Sequence, residues 1–454
     1  MLYLLQLKQV LLSDKKERSF KVAITTLGCK VNFFDSAAMG ESLRGGGFEV
    51  LPFPASADIY IINSCTVTES TDAQSRQLIR RALRMNPDAP VIVTGCYAQH
   101  SADAIAAISD RLHILGNREK GDILTYLRNI TAGSQRIVCV SDITCVKNLS
   151  APPLPSSFNR TRAFLKIQDG CNAACSYCIV PRVRGSSRSI PLEDAVENIT
   201  SLARSGFREI VLTGIHMGAY GLDLVPQKSL LDLLQHLAGD ERLSGVRIRL
   251  SSIEPNETTD ELIDFLSRSD LVCPHFHIPL QSGDEIILKS MNRGYTPAGF
   301  KYIIEKLASS IPGLNIGVDV IAGFPGETEA HFQNTLRFIQ DLPIGYLHVF
   351  PYSRRPGTPA ALLPDHVPES IKKQRTAILR EISLSKKKRF YTSFLNKLLP
   401  VLVEGKRDRK TNLLKGFSRN YIPVLIEGPD ELMGNEIKVQ VVDVQESSVY
   451  GEKA

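Results

Sequence analysis

The chain has no apolar run approaching the roughly 18 residues that a membrane-spanning helix needs, so the sequence offers no candidate span. It also lacks the parts of a secretory leader. The opening stretch MLYLLQLKQVLL is apolar, but it has no basic region and no small-residue cleavage site. It reads as an extension or an upstream start, not as a signal peptide. Disulfide patterning is missing too: 9 Cys, an odd number, are spread over 454 residues. That argues against a stapled framework and for reduced, metal-binding thiols in the cytoplasm. The loop Gly323-Phe-Pro-Gly326 lacks the Gly-Lys-Ser/Thr ending of a phosphate-binding loop, which excludes nucleoside triphosphate binding there. With 43% hydrophobic and 22% charged residues, the remaining composition is that of a globular protein long enough for two or three domains.

Charge is placed unevenly. The net charge is +6, yet residues 371–420 hold 15 Lys or Arg against Glu381, Glu404 and Asp408, a local +12 that leaves −6 on the remainder. A basic segment on a mildly acidic body fits a polyanion partner or a solvated helix face, and charge alone does not separate them.

Residues 21–130 alternate strand patterns (KVAITT, DIYIIN, PVIVTG) with helical ones, the mark of a doubly wound parallel sheet. A second alternating series follows a stretch rich in Pro and Ser, SAPPLPSSFNR. Its six strand patterns, AFLKIQ, EIVLTG, VRIRLSS, HFHIPL, NIGVDVIAG and YLHVFPYS, predict a partial (β/α)6 barrel. A basic helix over 367–395 and a tail of alternating apolar and polar residues come next, and the tail predicts a small all-β barrel. The expected boundaries are an extension at 1–19, domains at 20–135, 157–390 and 391–454, and a linker at 136–156. The expected fold class is therefore α/β with a β-barrel appendix.

Two groups of Cys carry the chemistry. Cys171, Cys175 and Cys178 lie in the loop GCNAACSYC, directly after a predicted strand. Three thiolates so close can hold a [4Fe–4S] cube while leaving one iron open for a small molecule. A zinc site wants a fourth ligand, and no further Cys or His lies nearby. Cys29, Cys65 and Cys96 each follow a predicted strand in the first domain (TTLGC, IINSC, IVTGC). Loops at the carboxyl ends of parallel strands converge, so these three can meet despite their separation. Cys139, Cys145 and Cys273 match no such pattern.

The motifs GCNAACSYCIVPRVRGSSRS, TTLGCKVN, NSCTVT, TGCYAQ, HFHIPLQSGDEIILKSMNRGY, DVIAGFPGET and HVFPYSRRPGTPA together resemble the methylthiotransferase branch of the radical S-adenosylmethionine (SAM) family. The resemblance implies a methylthiotransferase domain, a radical SAM barrel and an RNA-gripping TRAM barrel. It also implies a second [4Fe–4S] cluster on Cys29, Cys65 and Cys96 that supplies or carries sulfur. The cluster on Cys171, Cys175 and Cys178 would cleave SAM to a radical that removes hydrogen from an unactivated aromatic carbon. Tyr177, Thr213, Gly214, Ser251, Glu254 and Gln281 are the expected cofactor-binding residues, with Ser252 and Ser282 beside them. His275, His277 and His348 are expected as hydrogen-bonded wall residues.

Gly28-Cys29-Lys30-Val31-Asn32 resembles the branch acting on N6-threonylcarbamoyladenosine of tRNA, next to the anticodon at position 37. Branches acting on isopentenyladenosine or on a ribosomal protein aspartate are the alternatives. Phe33-Phe34 departs from the usual pattern of relatives. The implied partners are tRNA, gripped by the basic helix and by Lys406, Arg407, Arg409, Lys410, Lys415 and Arg419 of the tail, and a reductant such as flavodoxin or ferredoxin.

Overall fold

Apolar strands such as IYIINS and VIVTG can be buried on both faces only in a parallel sheet covered by helices. In the computed structural model, which describes residues 19–150, 153–154, 161–445 and 448–454, these strands are buried throughout. Residues 1–18 of the expected extension and most of the stretch SAPPLPSSFNR lie outside the described residues. The chain divides into two units, one reaching Thr66 and continuing over Ser70–Ser141, the other comprising Val67–Glu69 and Asp142–Ala454.

The first unit holds β1 (Lys21–Thr26), β2 (Glu49–Pro52), β3 (Ile59–Ser64), β4 (Val91–Gly95), β5 (Leu112–Leu115) and β6 (Val138–Cys139). They form one parallel sheet in the order β2-β1-β3-β4-β5-β6. Alternation along the strands splits the core in two. Tyr60, Ile62, Val91 and Val93 pack with Ile79 and Ala82 of helix Glu69–Met85. Ile59, Ile61 and Ile92 pack with Met39 and Leu43 of helix Lys30–Gly45 and Leu127 of helix Ile123–Thr131. This is the doubly wound arrangement expected.

In the second unit β7 (Ala163–Lys166) leads into a short ribbon of β8 (Gln168–Asp169) and β9 (Arg188–Ser189). Next come β10 (Glu209–Thr213), β11 (Arg247–Leu250), β12 (His275–His277), β13 (Asn315–Ala322) and β14 (Tyr346–Pro351). Two parallel three-stranded runs, β11-β10-β7 and β12-β13-β14, make the partial barrel. All six expected strands are present. Gly317 of β13 is required there: a Cβ at that position would lie 2.2 Å from the ring of Tyr346 on β14.

Helix Glu369–Thr392 starts at Pro368 and is only partly a solvated face. Its Arg375 is buried and donates to Glu327 at 2.6 Å, and its Lys372 is also buried. A closed barrel of β15 (Leu398–Arg407), β16 (Leu414–Ser418), β17 (Pro423–Ile426), β18 (Glu436–Val444) and β19 (Val449–Lys453) follows, in the order β15-β16-β17-β19-β18. Val401, Val403, Leu414, Val424, Ile426, Val439 and Val441 fill it, with Tyr391 of the helix.

The small barrel is fastened to the amino ends of β10 and β11 by a buried charge cluster. Glu209 accepts from Arg247 Nε and Arg249 Nε, both at 2.7 Å. The two arginines continue to the carbonyls of Phe417, Ser418 and Arg419, and Arg247 also meets Glu436 at 2.6 Å. Arg162 stacks on the rings of Phe417 and Tyr421. Burial opposes ionisation of Glu209, but the arginines, Arg249 foremost, hold its carboxyl down at about 2. A depressed carboxyl stabilises fully above the ordinary carboxylate range, and that contribution is lost as pH falls from about 4 toward the folded value. Glu209→Gln removes the anion beneath two buried guanidinium groups, and a loss of about 3–5 kcal/mol is expected. Denaturant unfolding at pH 7 measures it, and an unshifted midpoint would contradict the assignment.

Candidate functional site

In the first unit, β1, β3 and β4 are neighbours in one parallel sheet, so their carboxyl ends lie side by side. Cys29 is the N-cap of helix Lys30–Gly45, Cys65 follows β3 directly, and Cys96 begins helix Cys96–His100. The loops approach so closely that only glycine fits before two of the thiols. Gly28 has φ +101, and a Cβ there would lie 2.8 Å from Cys65 Sγ. Gly95 has φ +93, and its Cβ would lie 2.4 Å from the carbonyl oxygen of Ser64. Asn32 donates to the Leu27 and Ser64 carbonyls at 2.8 and 3.0 Å, tying the first loop to the second. Asn117 donates to Cys96 Sγ at 3.7 Å and accepts from Lys120, whose ammonium pairs with buried Asp35 at 2.5 Å.

In the second unit the loop carrying Cys171, Cys175 and Cys178 leaves the partial barrel after β7 and β8 and is clamped by Ser290–Arg293. Ser176 donates to the Ser290 carbonyl at 2.8 Å, and Asn292 donates to that of Ala174 at 2.8 Å. Two cationic side chains reach the sulfurs. Arg293 Nη1 lies 3.1 Å from Cys175 Sγ, and His216 Nδ1 lies 3.4 Å from Cys171 Sγ. Arg293 is paired with Glu254 and donates to Tyr295 Oη at 3.0 Å. His216 Nε2 meets Glu257 at 2.6 Å. The bond to Cys171, then that to Glu257, raise the imidazole to about 10 against the effect of burial. Burial pushes the Cys178 thiol up to about 12 and the Glu254 carboxyl above its usual range.

Of the expected cofactor residues, Glu254 joins the Cys loop through Arg293, and Gly214 sits against Gln168, where a Cβ would lie 2.8 Å from Oε1. That same oxygen accepts from the His216 backbone at 2.8 Å. Tyr177 packs with Ile287, Met291 and Phe324. Thr213 ends β10, Ser251 follows β11 with its N–H on the Leu212 carbonyl at 3.1 Å, and Gln281 (φ +67) bridges to Val320. Among the described residues, no hydrogen bond joins the side chains of Thr213 or Gln281 to the Cys loop. Arg293, His216, Glu257 and Gln168 were not expected from sequence. Arg293 lies inside the quoted motif MNRGY, and His216 follows the TG turn after β10, so both had a positional signal.

The basic tail divides. Arg419 is spent on Glu436 at 3.1 Å and the Asp270 carbonyl at 2.7 Å, and Arg407 on Asp430 at 2.7 Å. Lys406, Arg409 and Lys410 are exposed.

Each group supplies three thiols, none of them in a disulfide among the described residues. Three thiols are the donor set of a cube held at three corners, whereas a structural zinc site takes four ligands.

Residues 165–339 match the model of the radical SAM superfamily, and residues 21–116 match that of uncharacterized protein family UPF0004. The fold is like that of the radical SAM methyltransferase TsrM from Kitasatospora setae, solved with tryptophan and a SAM analogue, with a TM-score of 0.56 at 16% identity over 76% of this chain and 75% of that one. Threonylcarbamoyladenosine tRNA methylthiotransferase MtaB of Bacillus subtilis (strain 168) is 42% identical over 93% of each chain. The MtaB of Thermotoga maritima is 36% identical over 84% of this chain and 86% of its own. A tRNA-2-methylthio-N(6)-dimethylallyladenosine synthase from Carboxydothermus hydrogenoformans is 32% identical over 92% and 96%. The fold and its cysteine loop are those of the radical SAM enzymes, and the chain belongs to the MtaB threonylcarbamoyladenosine tRNA methylthiotransferase family.

Gly28→Ala adds a left-handed Ala and a contact on Cys65. It is expected to cost about 1–3 kcal/mol. A melting temperature equal to the parent's would show that the loops are not packed as described.

Proposed function

We propose that this chain methylthiolates C2 of N6-threonylcarbamoyladenosine at position 37 of tRNA, next to the anticodon, using two [4Fe–4S] clusters and SAM. The observation that carries the reading is the pair of thiol triads, each in loops that follow parallel strands. The 42% identity to an MtaB, against 32% to a dimethylallyladenosine synthase, supports the threonylcarbamoyl substrate over the isopentenyl one.

Cys171, Cys175 and Cys178 would hold the cluster that binds and reductively cleaves SAM, and Cys29, Cys65 and Cys96 the one that furnishes sulfur. A cube with one open iron supplies an electron to the sulfonium of SAM. The chain's own residues fix the donor set around it. Arg293 and His216 place N–H groups on two of the sulfurs, which favours the reduced cluster. Glu254 holds Arg293 and Glu257 holds His216 in those positions. The turn at Gly214, packed against Gln168, is proposed, with Tyr177, Thr213, Ser251 and Gln281, to line the SAM side of the barrel. The small barrel is proposed as a TRAM domain that meets tRNA phosphates through Lys406, Arg409 and Lys410. A flavodoxin or ferredoxin is the proposed electron donor, and the cytoplasm the proposed compartment. No helix among the described residues is long and apolar enough to cross a membrane.

Three outcomes are expected. Nucleoside mass spectrometry of tRNA from a deletion strain should lack the 2-methylthio-threonylcarbamoyl nucleoside. Its persistence at the wild-type level would defeat the assignment. Arg293→Met should make the midpoint of the SAM-cleaving cluster more negative in an EPR-monitored titration. An unmoved midpoint would deny the Arg293–Cys175 contact any tuning role. Replacing Lys406, Arg409 and Lys410 by Gln should weaken tRNA binding and flatten its log–log salt slope by about 2–3. An unchanged slope in filter binding would remove these residues from the RNA surface.

A further inference from the structure

A third polar constellation stands on the strands of the partial barrel, outside the Cys loop. His277, Asp319 and His348, on β12, β13 and β14, bring their ligand atoms within 4.8 Å of one another. Asp319 and His348 are register partners. Asp319 Oδ1 lies 2.9 Å from His277 Nε2 and 3.4 Å from His348 Nδ1. Ser252 Oγ meets the other nitrogen of His277 at 2.6 Å. Ser252 is the hydrogen-bond partner that fixes the His277 ring, whose Nε2 approaches Asp319 Oδ1 without hydrogen-bond alignment. The His348 side chain is 53% exposed, and among the described residues no hydrogen bond reaches its Nε2. Burial favours a neutral Asp319, but the two imidazoles outweigh it and hold the carboxyl down at about 2.

A relay of hydrogen bonds links the trio's strand to the Cys loop. The Leu280 and Gln281 N–H groups donate to the Asp319 carbonyl at 3.2 and 2.7 Å. Tyr295 Oη donates to the Leu280 carbonyl at 2.8 Å, and Tyr295 is the residue on which Arg293 rests beside Cys175.

We propose that His348, braced by Asp319, donates from Nε2 to the carboxylate of the threonylcarbamoyl substituent and thereby selects that adenosine over one bearing a hydrocarbon group. The inference rests on the function proposed above. A threonyl substituent carries a carboxylate and a hydroxyl, and a carboxylate leaving water requires a donor. A dimethylallyl substituent has no polar atom, so a polar site of this kind gains nothing from it and loses its own hydration. With Nδ1 of His348 facing Asp319 Oδ1 at 3.4 Å, Nε2 is the ring nitrogen left open to a ligand. Asp319 orients the ring, and His348 makes the contact. Asp319 is a positioning residue; His348 is a specificity residue.

The test compares the reconstituted holoenzyme with its His348→Phe and His348→Gln variants on two anticodon stem-loop RNAs, one bearing threonylcarbamoyladenosine and one bearing dimethylallyladenosine. His348→Phe should lose about 10- to 100-fold in kcat/KM on the first RNA. The ratio of the two RNAs should shift by the same factor toward the second. His348→Gln, which keeps a donor, should recover most of that loss. Iron and sulfide contents equal to wild type in both variants would establish that they fold and load. Wild-type activity on the first RNA with His348→Phe within about twofold of it would overturn this proposal alone. A stoichiometric extra divalent metal that disappears in His348→Phe would overturn it as well, by making the trio a metal site. Wild-type enzyme that thiolates only the dimethylallyl RNA would overturn the functional reading, and this proposal with it.

Discussion

Parallel strands point their carboxyl ends the same way, and the loops that leave those ends gather reactive side chains from distant sequence into one ligand crevice. Both thiol triads use this constraint. In the first unit it works through strand order: β1, β3 and β4 are adjacent although β2 intervenes in sequence, so Cys29, Cys65 and Cys96 leave neighbouring strands. The crowding that follows is visible in Gly28 and Gly95, each of which would put a Cβ within 2.8 Å of a neighbour. In the second unit one loop carries all three thiols, and the sheet's contribution is the shell: His216 after β10, Glu254 and Glu257 after β11, and Arg293 after β12. Chemistry drawn from three strand ends is thereby focused on one loop.

The opposite ends of the barrel strands serve a different purpose. Glu209 and Arg247 begin β10 and β11, and with Arg249 they fasten the small barrel by charge and backbone carbonyls rather than by an apolar face. Buried ion clusters of this kind are poor sources of stability but demanding of geometry, since any partner lost leaves an uncompensated charge. A fixed attachment suits the RNA-holding role proposed for this barrel, because phosphate contacts would set the register of the substrate. The cost is that part of the basic surplus is structural. Arg407, Arg419, Lys372 and Arg375 are consumed by Asp430, Glu436, Glu369 and Glu327, which leaves the exposed lysines and arginines of the tail and helix for a polyanion.

Much of this was legible in the sequence because the signals were local. Strand patterns such as PVIVTG and NIGVDVIAG are periodic and apolar, and the helix opened by Pro368 and Glu369 has its start written in its first residues. CxxxCxxC needs no fold to be noticed. What escaped were contacts between residues far apart. Arg293 reaches Cys175 across 118 positions, and Arg247 reaches the Phe417 carbonyl across 170. No periodicity encodes such pairs. The histidines show the same boundary from the other side. His277 and His348 read as wall residues, which describes their strands correctly, but only the register of β13 and β14 reveals the carboxylate between them.

The central claim, that each unit builds its own cluster site, is tested most directly by counting iron and acid-labile sulfide per chain after anaerobic reconstitution. The wild-type protein should hold about eight of each, and a variant with Cys29, Cys65 and Cys96 replaced by Ala about four. Four in the wild type, or eight in the variant, would contradict the account.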